Sequence, residues 1–80
     1  MSQNLKKYKI AFKETFELAD SDNFDNLKYQ SIDSWDSIGH MTLMSALEST
    51  FSITFETDDI IDFSSYKKGK EILKKYKVKI

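Results

Sequence analysis

From Leu5 to Ala19 the apolar residues fall at Leu5, Tyr8, Phe12, Phe16 and Ala19, in steps of three, four, four and three. That spacing is one face of an α-helix. A helical stripe returns at Ile38, Met41, Leu43, Met44, Ala46, Leu47 and Phe51, and again at Tyr66, Gly69, Ile72, Leu73 and Tyr76. Nowhere does the chain alternate apolar and polar residues as a half-buried strand would. The pattern predicts an all-α fold, a four-helix bundle of three main helices and one short one. The predicted helices run over about 4–19, 37–51, 57–62 and 65–76, with a long loop at 20–36. Eighty residues allow one small domain, 1–80.

The boundaries follow from local chemistry. The first helix should end near Asp20, where Ser, Asp and Asn compete for the backbone. Loop 20–36 carries apolar anchors at Phe24, Leu27, Tyr29, Ile32 and Trp35, so it should pack along the core. Asp36 is a good N-cap for the second helix, because its carboxylate can accept a first-turn amide. The second stripe is wider than one packing face needs, which leaves Ile38, Met41 and Met44 available to a cavity or a partner. Thr57 reads as the cap of the short helix, with Asp58 and Asp59 on its positive end. Ser64 or Ser65 should cap the last helix. Gly69 on that helix's apolar face costs about 1 kcal/mol of propensity, which close helix packing would explain.

Composition removes several kinds of chemistry. The chain has no Cys and one His, His40, so disulfide frameworks, thiolate metal sites and multi-histidine zinc sites are excluded. No apolar run approaches the roughly 18 residues of a membrane span, and no secretory signal is visible. A cytoplasmic protein is expected. The net charge of -1 hides an uneven distribution. Residues 1–19 carry four Lys and two Glu (+2), and 20–36 carry five Asp and one Lys (-4). Residues 37–63 carry five acids and no base (-5), and 64–80 carry seven Lys and one Glu (+6). Acidic middle and basic ends concern partners, not fold.

Three candidate chemistries fail on their own residues. Asp20, Asp22 and Asp25 suggest a calcium loop, but an EF-hand started at Asp20 would have Phe24 at position five, Asp25 at six and Ser31 at twelve. Ser37 and His40 are three apart and could pair as nucleophile and base, yet no elbow motif or orienting acid accompanies them. The lysines of the last helix, interleaved with Tyr66 and Tyr76, could face nucleic acid. Without a single Arg they read better as a solvated face. No metal, nucleic-acid or membrane partner is expected.

The stretch 35–73, WDSIGHMTLMSALESTFSITFETDDIIDFSSYKKGKEIL, resembles the core of an acyl carrier protein. The family's Asp-Ser-Leu hallmark at the start of its second helix is represented by Asp36-Ser37-Ile38. Ala46-Leu47-Glu48, then Phe51, Ile53 and Phe55, then Asp58 and Asp59, then Tyr66 and Ile72-Leu73 follow in order and spacing. The resemblance covers about half the chain. It implies an acyl-carrier-protein-like bundle in which Ser37 carries a covalent 4'-phosphopantetheine arm taken from coenzyme A. It also implies that Asp36 combines helix capping with recognition by the phosphopantetheinyl transferase. Acyl groups would ride on the arm as thioesters, with Ile38, Met41, Met44 and Glu48 serving partner docking or the acyl cavity.

The physical reading of Ser37 agrees, since a first-turn serine sits beside free backbone amides and the positive helix end, where a phosphodiester is favoured. On this reading the chain is a monomeric, non-catalytic carrier, the substrate of the transferase and of acyl-activating or acyl-transfer enzymes. It departs from carriers of fatty acid synthesis in two respects. Gly39, His40, Thr42, Ser45, Ser49 and Thr50 stand where acids are often found, and the last helix is basic. These differences point to a specialised biosynthetic pathway, such as surface-polysaccharide or secondary-metabolite synthesis. The alternatives are a peptidyl carrier protein holding aminoacyl groups and a helical interaction domain that never receives the arm.

Overall fold

Four α-helices form: α1 (Gln3–Phe16), α2 (Ser37–Phe51), α3 (Thr57–Asp62) and α4 (Tyr66–Lys75), with a 3₁₀ turn at Phe24–Asn26. The computed structural model describes residues 3–80; the first two positions of the predicted domain lie outside them. Among the described residues no strand forms, and the only β pairing is an isolated bridge between Lys28 and Ser65. The chain is a small helical bundle. The bounds of α2 and α3 coincide with those expected from the stripes, whereas α1 stops at Phe16 instead of 19.

The early end of α1 has a clear cause. Glu17 adopts a left-handed conformation (φ 53°), and the Leu18 amide donates back to the Lys13 carbonyl at 2.9 Å. This is the Schellman closure, in which an apolar residue just beyond the left-handed one commonly packs back on the helix. Ala19, read as part of the stripe, lies outside the helix and is exposed. The other two long helices end alike. Ser52 (φ 54°) precedes Ile53, whose amide bonds to the Glu48 carbonyl, and Lys77 (φ 65°) precedes Val78, whose amide bonds to that of Leu73.

Each main helix contributes its stripe to one core. Tyr8, Phe12 and Phe16 of α1 meet Leu43, Met44 and Leu47 of α2 and Tyr66, Ile72 and Leu73 of α4, with Trp35 and Phe63 filling between them. The Phe12 ring lies edge-on to Trp35 (5.4 Å between centroids) and to Tyr66 (4.9 Å). Burying each such side chain contributes about 1.5–3 kcal/mol. The Tyr8 hydroxyl donates to the Tyr66 carbonyl at 2.6 Å inside this core. Burial pushes its pKa far above the ordinary tyrosine value, so it remains a protonated donor.

Loop 20–36 is ordered by its anchors. Phe24, Leu27 and Trp35 are buried, Ile32 is partly buried, and Tyr29 is exposed. The Tyr29 amide donates to the Ser64 carbonyl (2.8 Å) and the Tyr66 amide to the Leu27 carbonyl (3.0 Å), which ties the loop to the start of α4. The cap there is Ser65, whose hydroxyl accepts the Lys68 amide.

Thr57 does not cap α3. It is the first helical residue, and Glu56 precedes it in the N-cap position without a side-chain hydrogen bond. Asp58 and Asp59 lie in the first turn of α3 as expected, and Asp59 has a further role there. Its carboxylate is buried and accepts from the Lys75 ammonium and the Tyr76 hydroxyl, both at 2.6 Å. The Tyr76 hydroxyl in turn accepts the Glu56 amide at 2.8 Å, so the N-terminal turn of α3 is clasped at two points to the end of α4. The bonds from Lys75 and Tyr76 hold the Asp59 carboxyl below the usual carboxylate range. A lowered folded-state value means stability that is present above the unfolded value, about 3.9, and lost as pH falls through the folded one. Asp59→Asn should cost about 2 kcal/mol at pH 7, in line with hydrogen bonds to a charged group. The gap to wild type should narrow as urea unfolding is repeated toward about pH 3. An equal gap at both pH values would remove the ionised carboxylate from the account.

Candidate functional site at the start of the second helix

Asp36 begins the site. Its backbone is extended (φ -103°, ψ -167°), and its carboxylate accepts the Gly39 amide at 2.8 Å while its carbonyl accepts the His40 amide. Helix geometry leaves the amides of Ser37 and Ile38 without intrahelical acceptors. Ser37 is therefore the first residue of α2 and not its cap. Its hydroxyl lies on an exposed residue, 3.1 Å from the Tyr29 hydroxyl.

Tyr29 is held at several points. Besides its own amide bond to Ser64, the next amide, that of Gln30, donates to the Trp35 carbonyl at 2.9 Å. Its ring stands edge-on to His40 (5.5 Å between centroids). His40 is held as firmly. Nδ1 accepts from the Trp35 indole N–H at 3.0 Å, and Nε2 faces the Ile60 carbonyl at 2.8 Å. An indole N–H can only donate, so Nδ1 is unprotonated and Nε2 carries the proton given to Ile60. Both ring nitrogens are thus engaged away from Ser37, and the pairing of His40 with Ser37 as base and nucleophile does not form.

Gly39 lets the loop close over the helix. A Cβ at this position would overlap the carbonyl oxygen of Ser34 and press on Phe16. The obstacle is main chain, fixed next to the buried Trp35. Gly39→Ala should therefore lose the roughly 1–3 kcal/mol typical of overpacking, against a propensity gain of at most about 1. The expected result is a Tm lowered by about 4–8 °C, with amide resonances of residues 29–37 displaced. A raised Tm would show that the contact is not close.

The remaining predicted site residues separate into two groups. Ile38 is 80% exposed and Met41 51%, beside Ser37 on the same face of α2. Ile61, 73% exposed, follows the Ile60 carbonyl that His40 holds, and adds an unanticipated apolar residue from α3. Met44 is only 1% exposed and belongs to the core between α1 and α2, because the period of α2 returns it to the face of Leu43 and Leu47. It is not available to a partner. Glu48 is also structural: its carboxylate accepts the Phe55 amide at 2.8 Å and ties the extended link 53–56 to α2. Sequence reasoning treated Tyr29 as a loop anchor and so missed its hydroxyl. The available signal was that a tyrosine, unlike the other anchors, carries a polar tip that seeks a partner.

A groove of about 860 Å³ lies elsewhere, between α1, residues 20–25 and Tyr66 and Lys70 of α4. The aspartates at its edge have local partners: Asp20 pairs with Lys13 at 2.7 Å, and Asp22 accepts the Ala19 amide. Among the described residues no group of three His, Cys, Asp or Glu is placed to hold a metal ion. Nor, among these residues, is any helix long and apolar enough to cross a membrane. Comparison of the chain with protein-family models, with curated proteins and with solved structures found no match.

Proposed function

We propose that this chain is an acyl carrier protein that takes a 4'-phosphopantetheine arm on the Ser37 hydroxyl and serves a specialised biosynthetic pathway. The observation that carries this reading is an exposed serine hydroxyl at the first position of α2 with its capping duty already discharged by Asp36. A hydroxyl that a fold needs for capping is engaged with the backbone; among the described residues this one meets only another hydroxyl. The site suits a phosphate ester. The amides at positions 37 and 38 and the positive end of a helix of 15 residues favour an anion there. Lys28 is the sole lysine or arginine between residues 14 and 66, so phosphate binding would depend on these dipoles more than on cationic side chains.

When attached, the arm supplies the thiol that this cysteine-free chain lacks, and with it the thioester on which acyl groups travel. The protein's own part is to present the attachment point. Trp35 and His40 fix the first turn of α2 against the core and α3, and Ile38 and Met41, three apart on α2, form an exposed apolar ridge beside it, with Ile61 exposed on α3. Such a ridge suits transient docking of the transferase and of acyl-transfer enzymes. A tethered intermediate then meets each enzyme at high effective concentration.

Incubation with coenzyme A and a broad-specificity phosphopantetheinyl transferase tests the reading by intact mass. The expected result is a gain of one phosphopantetheine, located on Ser37 by peptide fragmentation. An unchanged mass with an active transferase would favour the interaction domain, whose only requirement is the apolar ridge.

A further inference from the structure

Among the described residues the Tyr29 hydroxyl has one partner, the Ser37 Oγ at 3.1 Å. Everything else about Tyr29 serves to hold that hydroxyl in place. Its backbone is pinned to Ser64, its neighbour to Trp35, and its ring rests on an imidazole that is itself fixed at both nitrogens. A loop residue whose ring is part exposed gains little core burial from such constraint. Between two neutral hydroxyls either one can donate. Esterification of Ser37, in which Oγ loses its proton and displaces adenosine 3',5'-bisphosphate from the pyrophosphate of coenzyme A, removes that freedom, because phosphorus replaces the serine proton and Oγ keeps only acceptor capacity. The tyrosine O–H is then the only donor of the pair. A phosphodiester brings two charged oxygens next to Oγ, better acceptors than the hydroxyl was. We propose that Tyr29 is a positioning residue for the modified site: its hydroxyl donates to the phosphate on Ser37 and fixes where the arm leaves the surface. The inference rests on the carrier reading and adds a second side chain to it.

Tyr29→Phe removes the hydroxyl and leaves the ring that packs on His40, so the variant keeps the fold, as an unchanged amide spectrum outside the loop would verify. Wild type and Tyr29→Phe are each loaded with the same transferase, and the phosphorus NMR signal of the diester is recorded natively and in urea. In wild type the native signal should be displaced from the urea position, and in Tyr29→Phe most of that displacement should be gone. Equal native positions in the two proteins would overturn the role of Tyr29 while leaving the carrier reading in force. Failure of wild type itself to gain mass would overturn both, and the mass spectrum distinguishes that outcome before any phosphorus signal is sought.

Discussion

Ser37→Ala should lose all transferase-dependent mass gain and keep nearly all of its stability. The two halves of that expectation come from different atoms. Loading needs the hydroxyl oxygen as the point of attachment, and alanine has none. Stability hardly needs it, because the helix cap is the Asp36 carboxylate on the Gly39 amide. Alanine is at least as good a helix former as serine. What disappears is one exposed hydrogen bond to Tyr29, worth about 0.5 kcal/mol at the low end for such bonds, and the tyrosine hydroxyl returns to water. Asp36→Ala behaves oppositely in stability, since removing a true N-cap costs about 1 kcal/mol. Thermal unfolding of the two variants beside their mass spectra therefore separates a serine that carries a group from one that starts a helix. If Ser37→Ala were the less stable of the two, or if it still accepted the arm, the assignment of Ser37 would fall.

How much of this could be read from residues alone varied with the range of the interaction. The stripes of α1, α2 and α4 are local, with period 3.6, and they specified the helices and most of the core. The end of α1 was not legible because its left-handed residue is Glu17. Glycine is the usual marker of such an end, and both glycines of this chain are spent inside helices. Ala19, three residues after Phe16, then prolongs the apolar pattern past the true end. Asp36 as a cap was legible because its partner is three residues away; the place of Asp59 in the first turn of α3 was legible too, but not its partners, which are 16 and 17 residues on. Met44 and Glu48 sit within the resembling stretch, yet the fold gives one to the core and the other to the 53–56 link. The contact between Tyr29 and Ser37 depends on a loop path that no periodicity encodes.

Gly69→Ala gives the largest expected loss of stability, and its sign alone is decisive. On a helix with room for a methyl group, alanine in place of glycine stabilises by about 1 kcal/mol. At Gly69 a Cβ would overlap both the end of the Phe63 ring and the Tyr8 hydroxyl. Neither can move aside cheaply. Phe63 and Tyr8 are fully buried, Phe63 stacks near Phe12, and the Tyr8 hydroxyl is bonded to the Tyr66 carbonyl one turn before Gly69. Relief by shifting Tyr8 would leave a buried donor and acceptor unpaired, at a cost of about 1–3 kcal/mol. Relief by shifting α4 would strain the clasp of Asp59 on Lys75 and Tyr76. Overpacking of this kind costs about 1–3 kcal/mol by itself. After the propensity gain, the net destabilisation should be about 3 kcal/mol, a large part of the roughly 4–12 kcal/mol available to a domain of this length. In Tm that is a fall of about 12–24 °C. The loss should also reach the candidate site, because Phe63 lies edge-on to His40 (6.2 Å between centroids) and His40 orders the first turn of α2. Far-ultraviolet circular dichroism through a thermal ramp measures the first effect, and the amide resonances of residues 36–40 the second. A Gly69→Ala protein as stable as wild type, or more so, would mean that α1, Phe63 and α4 do not meet at this glycine.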